Sequence, residues 1–298
     1  MQFDFSQAFT RTIGWLSARE LASLRSKRVA IGGMGGTGGY YALTLARLGV
    51  EKFTLADYDC FEMSNLNRQA GAFLSTLGKN KAETIAAMLT DINPHIDARI
   101  FNQGVDAANI PDFLEGADFY LNAMGLSSVD VQAQIFDACR SRRIPGTSAI
   151  VPGMGVSVVN FHPQKMSFER YFRVKGLPRA EQAIRLLVGH NPRLIMRHYI
   201  LSDDGVRFKE NDGPVIPVSC LLAAGVACTE VLKILLHRKN ILWAPWSLQM
   251  DAYLRKYYKT FRPGGNGNLL HKIMLLYLRR RLNLPPVAAA RPGIAPQT

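Results

Sequence analysis

The chain has 298 residues, 48% hydrophobic and 20% charged, which excludes general disorder and suits one large or two smaller units whose cores need no staples. A count of 36 Lys and Arg against 23 Asp and Glu leaves +13, pointing to an anionic partner: nucleic acid, an anionic membrane or a nucleotide. Four cysteines, far apart except for Cys220 and Cys228 and without a C-x-x-C, exclude a zinc ribbon and a disulfide framework, and read as small buried hydrophobes.

The N-terminal stretch is mixed polar and lacks a continuous apolar signal core, which makes the cytoplasm the expected compartment. Residues 16–27 have helical spacing, with Leu16, Leu21 and Leu24 on one side. Residues 29–33 form a short apolar run that meets a glycine cluster, predicting a buried strand and a tight turn. There follow a helix over 38–50, a strand over 53–57, a helix over 81–94, strands over 97–101 and 118–124, a helix over 129–142 and a strand over 144–150. This alternation predicts an α/β fold, a Rossmann-like doubly wound and mostly parallel sheet with helices on both faces.

After about residue 150 the rhythm changes. Residues 153–161 alternate like an antiparallel strand, 179–190 are helical, and 246–253 and 256–261 read as late strands. They predict a mixed antiparallel C-terminal extension of the sheet. The longest apolar run, Val215 to Leu236, contains Pro217, Ser219, Glu230 and Lys233 and reads as a buried helix rather than a membrane span. A helix over 269–282 and a Pro/Ala-rich end, expected to be disordered, close the chain. The expected units are an N-terminal helical segment (1–28), a nucleotide-binding domain (29–160), a substrate and dimer region continuing the sheet (161–265), and a basic helix with its tail (266–298). Residues 251–298 hold nine basic side chains, including Arg279, Arg280 and Arg281, against Asp251 alone, so +8 of the excess lies there.

Gly33, Gly35, Gly36 and Gly38 form a G-x-G-x-x-G between a strand and a helix. Glycine lets the backbone approach phosphate, and a helix N-terminus offers oriented N–H groups. Asp57 follows Gly38 by 19 residues, at the end of the second strand, where an acid can hold ribose hydroxyls. A nicotinamide dehydrogenase fits these features equally well. The segment from Asp57 to Gln69 separates the two: Asp59, Asn65, Asn67, Arg68 and Gln69 suit a triphosphate, with amides orienting oxygens and arginine forking onto phosphate. Lys81, opening the next helix, adds a second cation.

With these residues the chain resembles the ThiF/HesA/MoeB family of ubiquitin-activating-enzyme-like adenylyltransferases. Its glycines match the family's GxGGxG, Asp57 and Asp59 its D-x-D, Asn65 to Gln69 its S-N-L-N-R-Q segment, and Lys81 the lysine of its G-x-x-K-A. The resemblance implies ATP-dependent adenylylation of a carboxylate, belonging to a ubiquitin-like protein, a peptide or a small molecule. Arg68, Lys81 and Arg11 would then offset phosphate charge, Arg11 reaching the partner subunit's site in a homodimer.

Two departures qualify that implication. Gly125 stands where the family's Mg²⁺-linked acid is expected, leaving the Mg²⁺ ligands unknown, with Asp130 as a substitute only if its turn folds inward. No cysteine lies between Cys139 and Cys220, where some members carry an acyl-accepting thiol, so the acyl-adenylate is expected to pass to an external nucleophile. The alternative is a nucleotide-binding scaffold that has lost adenylylation. Tyr253, Tyr257 and Tyr258 among basic residues fit a two-sided strand better than a nucleic-acid platform. The last helix suits packing on the body or a partner better than peripheral contact with an anionic membrane.

Overall fold

The computed structural model describes residues 2–200, 213–282 and 284. In chain order the helices are α1 (Phe5–Ala8), α2 (Ala18–Ser26), α3 (Gly38–Arg47), α4 (Lys81–Ile92), α5 (Ile110–Phe113), α6 (Val129–Ser141), α7 (Phe168–Phe172), α8 (Arg179–His190), α9 (Pro217–Leu235) and α10 (Leu269–Arg281). The strands are β1 (Arg28–Gly32), β2 (Lys52–Ala56), β3 (Asp97–Phe101), β4 (Phe119–Asn122), β5 (Gly146–Ile150), β6 (Gly155–Phe161), β7 (Trp246–Asp251) and β8 (Lys256–Phe261). The three helices of four or five residues, α1, α5 and α7, escape sequence reading because one turn shows no period. The Pro/Ala-rich end lies outside the described residues.

One sheet runs β3-β2-β1-β4-β5-β6-β7-β8. The pairs from β3 to β5 are parallel, and those from β5 to β8 are antiparallel. Every residue of β1 is buried, as a strand must be when helices cover both faces. The period of two divides the strands between two cores. Val29, Ile31, Phe53, Leu55, Phe119 and Leu121 pack with α3, α4 and α9, while Ala30, Ala56 and Tyr120 face α6 and α7.

Local chemistry sets the helix limits. Ser17 and Glu20 form a reciprocal capping box at the start of α2. Helix α3 ends before Gly49, which has φ +95°, and a Cβ there would lie 2.7 Å from Leu21. Helix α9 is long and apolar enough to cross a membrane by length and composition, but it packs along β6 and α3 and buries Cys220, Ala223, Ala227 and Val231. Cys139, Cys220 and Cys228 are buried as expected, whereas Cys60 is exposed because it follows β2 in a surface loop.

Candidate active site

The sheet order places a topological switch between β1 and β4, where the chain leaves one strand for α3 and the other for α6. In open α/β sheets this crevice, at the carboxyl ends of the strands, is where ligands sit. The loop Gly33–Gly38 leaves β1 there, and Ala123–Leu126 leaves β4 beside it.

The four glycines divide into two kinds. Gly33 has φ +90°, and a Cβ on it would lie 2.6 Å from the Ala123 carbonyl oxygen. A Cβ on Gly38 would lie 1.8 Å from the Gly33 carbonyl oxygen. These two make the turn possible. Gly35 and Gly36 face side chains instead: hypothetical Cβ atoms there would lie 3.8 Å from Gln69 Nε2 and 3.3 Å from Cys220 Sγ. Gly35 therefore has room around it, whereas Gly36 packs closely against the buried Cys220.

The predicted polar residues surround this loop in order. Asp57, at the end of β2, accepts hydrogen bonds from the N–H groups of Met34 (2.6 Å) and Asp59 (2.9 Å). Burial pushes its carboxyl up and those bonds pull it down; the net effect lies above the usual carboxylate range. Lys81, buried at the start of α4, donates to Asp59 at 3.1 Å. Asn80 caps α4 by accepting from Glu83 N–H (3.1 Å) and donates to the Asp57 carbonyl (3.2 Å), tying that helix to the end of β2. Sequence reading missed Asn80, although a cap immediately before a helical lysine was its available signal.

Gln69 is buried, and its Oε1 has no hydrogen-bond partner among the described residues. Arg68 Nη1 donates to the Ser64 carbonyl (2.7 Å) and to Asn67 Oδ1 (2.8 Å), leaving Nη2 and Nε without a described partner. Asn67 in turn donates to the Val215 carbonyl at 3.2 Å, anchoring the loop to the approach of α9. Asn65 is used inside its own turn, where it accepts from Glu62 N–H at 3.1 Å. Arg68, Gly36 and Thr37 line a cavity of about 360 Å³ together with Ala123–Leu126 and Ala149–Gly153.

Arg11 is not brought to this site within the chain. It sits on an exposed turn in the N-terminal segment, whose Phe5 and Leu21 pack at Gly49, beyond the C-terminal end of α3. The glycine loop lies at the other end of that helix.

The segment after β4 also resolves the role of Asp130, which accepts a hydrogen bond from Gln182 Nε2 (2.7 Å) and so faces α8 rather than substituting at the site. Gly125 is extended (φ −73°, ψ 175°), and its carbonyl accepts from Gln132 Nε2 at 2.7 Å. Gln132 Oε1 accepts from Asn122 Nδ2 (2.9 Å), and Asn122 Nδ2 also reaches Ser148 Oγ (3.3 Å). His190 Nε2 lies 2.9 Å from the same hydroxyl, and burial lowers its pKa to about 4. This buried network braces the loop from below. Among the described residues no group of three or more His, Cys, Asp or Glu is placed to hold a metal ion.

The ThiF family model matches residues 9–268. The chain belongs to the ThiF family. The tRNA threonylcarbamoyladenosine dehydratase of Haemophilus influenzae is 32% identical over 125 residues, 42% of this chain and 47% of that relative. The molybdopterin-synthase adenylyltransferase of Escherichia coli is 34% identical over 123 residues, 41% of this chain and 49% of the relative. The chain spans about half the length of these relatives. Two solved structures share the fold of this ThiF-family chain. PaaA superposes with a TM-score of 0.66 at 17% identity, covering 88% of this chain and 74% of PaaA. MccB of E. coli, solved with ATP, has a TM-score of 0.60 at 18% identity, covering 81% and 65%.

Proposed function

We propose that this ThiF-family chain uses ATP to adenylylate a carboxylate. The observation that carries the reading is the uncrowded backbone of Gly35 beside Gln69, whose Oε1 has no partner among the described residues, with Arg68 Nη2 and Nε likewise without a described partner.

In this reading Asp57 accepts from the ribose hydroxyls while it stays fixed to Met34. The triphosphate lies across the glycine loop, and Gln69 accepts from a nucleotide hydroxyl or amino group. A substrate carboxylate oxygen attacks the α-phosphorus and pyrophosphate leaves, forming an acyl-adenylate. Charge builds on the phosphate oxygens during that step, and preorganised Arg68 and Lys81 offset it at no reorganisation cost. The Asp59 contact at 3.1 Å fixes the position of the Lys81 ammonium. The described donors do not fit a protein-held Mg²⁺, because Gly125 offers no carboxylate and Asp130 is turned away. Mg²⁺ belongs to the substrate in this reading, carried on the ATP phosphates, and no step depends on a protein-bound metal.

The acceptor of the acyl group is external. Burial pushes the Cys220 thiol up to about 11 despite the Arg68 charge nearby, and raises Cys139 and Cys228 further, so none of these is a ready thiolate at neutral pH. The name of one relative, the ubiquitin-like modifier-activating enzyme 5 of Culex quinquefasciatus, supports a ubiquitin-like carboxylate among the candidate substrates. The reading includes a homodimer in which Arg11 acts in the partner's site, and Val218 and Leu221 of α9 are exposed apolar residues available to such an interface.

Carboxylate-dependent exchange of labelled pyrophosphate into ATP tests the proposal. Arg68→Ala is expected to slow exchange by ~10²–10³-fold while ATP still protects the protein against thermal unfolding. Exchange unaffected by this change would remove Arg68 from the mechanism. Protection by ATP with no exchange for any carboxylate would favour a scaffold, the reading that Gly125 by itself invites.

A further inference from the structure

We infer that the acyl substrate carries a bulky apolar group beside its carboxylate, and that a diglycine tail is a poor substrate. This inference rests on the adenylylation reading for the fate of the carboxylate, but the selectivity itself is a property of the cavity beside the glycine loop. That cavity measures about 360 Å³, and Arg68 is the only charged side chain among its described lining residues. Met124, Leu126, Ile150, Val151, Leu187 and Met196 supply its walls.

The cavity therefore has two chemically different ends. At one, Gly36, Thr37 and Arg68 gather the N-terminus of α3 and a guanidinium, which suit the reacting carboxylate and the phosphate it attacks. At the other, side chains from the end of β5, from α8 and from the turn Ile195–His198 present only hydrocarbon and thioether. Gly125 contributes to this character, because it puts no side chain into a wall where an acid would bring a charge.

The apolar end is also held in place. Tyr199 Oη donates to Asp251 Oδ2 (2.6 Å) and accepts from Met154 N–H (2.7 Å), tying the end of the Ile195–His198 turn to β7 and to the β5–β6 connection. Asn191 Nδ2 lies 2.9 Å from Met196 Sδ and fixes that side chain from behind. A wall so braced cannot collapse onto a slender ligand. A diglycine tail would leave much of the apolar wall exposed to water. An acidic or amide side chain would be desolvated against hydrocarbon, with Arg68 already engaged by the reacting carboxylate. A leucine, isoleucine, methionine or phenylalanine side chain fills the space and gains roughly ten- to a hundredfold in affinity.

The test measures binding and turnover separately, on the full chain. Isothermal titration in the presence of a non-hydrolysable ATP analogue would compare N-acetylleucine, N-acetylphenylalanine, N-acetylaspartate and N-acetylglycylglycine. Tetrapeptides ending in leucine or in diglycine would be run beside them, to separate small acids from peptide C-termini. The apolar acids are expected to bind at least tenfold more tightly than the diglycine and aspartate compounds. Leu187→Asp should erase that preference and Leu187→Met retain it, with affinity for the ATP analogue serving as the control for folding. Equal binding across the panel, a preference for diglycine or aspartate, or no binding by any acid overturns the inference. Pyrophosphate exchange on the same panel then judges the chemistry. An apolar preference in binding with no exchange from any acid overturns the adenylylation reading and leaves the selectivity standing.

Discussion

Gly38 and Gly35 occupy the same motif and do different work. A Cβ on Gly38 would sit 1.8 Å from a backbone oxygen that cannot move without opening the turn, whereas the nearest neighbour of a Cβ on Gly35 is 3.8 Å away. Gly38→Ala is therefore expected to destabilise the protein by about 1–3 kcal/mol through overpacking and to abolish protection by ATP. Gly35→Ala should leave the melting temperature near its starting value but weaken ATP binding, because it covers backbone that the phosphates approach. Thermal melts with and without ATP check both. The motif itself was legible in the sequence; the division of labour within it was not, because Ala123, Gln69 and Cys220 meet the loop only after folding. The same holds for Asn65 and Asn67, whose residue type suggested phosphate contact and whose amides also hold the loop in the fold.

Helix α10 shows the equivalent gap at the scale of elements. Its position and length are legible from residues 269–282, and its pattern favours packing on the body or a partner over a membrane, but not which residues it meets. In the fold, Arg279 Nε donates to Glu181 of α8 at 2.8 Å, while Arg185 reaches the same carboxylate at 2.6 Å. Burial pushes the Glu181 carboxyl up, yet the bonds from Arg279 and Arg185 outweigh it and hold the group below its ordinary range. Leu275 and Leu278 pack beside this pair against Ile184 and Val188. Arg279→Ala should cost about 1–3 kcal/mol, since it strips one partner from a buried carboxylate. Arg280→Ala, at an exposed position, should fall within about 0.5 kcal/mol. Chemical denaturation of the two variants separates the packing role from simple loss of charge. No periodicity could reveal the pair, whose members stand 98 residues apart.

For the whole molecule, the pH dependence of stability follows from two buried imidazoles. Burial lowers the pKa of His190 and of His271 to about 4, and the Arg262 charge adds to the effect on His271. Both stay neutral in the folded chain at pH values where the unfolded chain, titrating near the ordinary 6.5, is already protonated. The unfolded state then binds more protons, so this stability is complete above about pH 6.5 and is lost progressively as pH falls toward 4. Melting temperatures should drop across that window, and a His190→Gln, His271→Gln variant should show a shallower slope there. An unchanged slope would mean that other groups carry the acid sensitivity. Nothing in the sequence marks out these two histidines, because burial is a property of position.

What the sequence by itself determined was whatever depends on near neighbours. The alternation of strand and helix, the glycine turn, the acid closing β2 and the lysine opening α4 are all readable because a period of two, a period of 3.6 and a short loop are local. The parallel-to-antiparallel change near residue 150 was readable for the same reason. The tertiary structure alone decided which of those residues share a surface. It paired Lys81 with Asp59, turned Asp130 toward α8, left Arg11 beyond the far end of α3, and built an apolar cavity from β5, α8 and the loops around Gly36 and Gly125. Each of these outcomes is a contact across tens to hundreds of residues, set by the order of strands in the sheet rather than by any local preference.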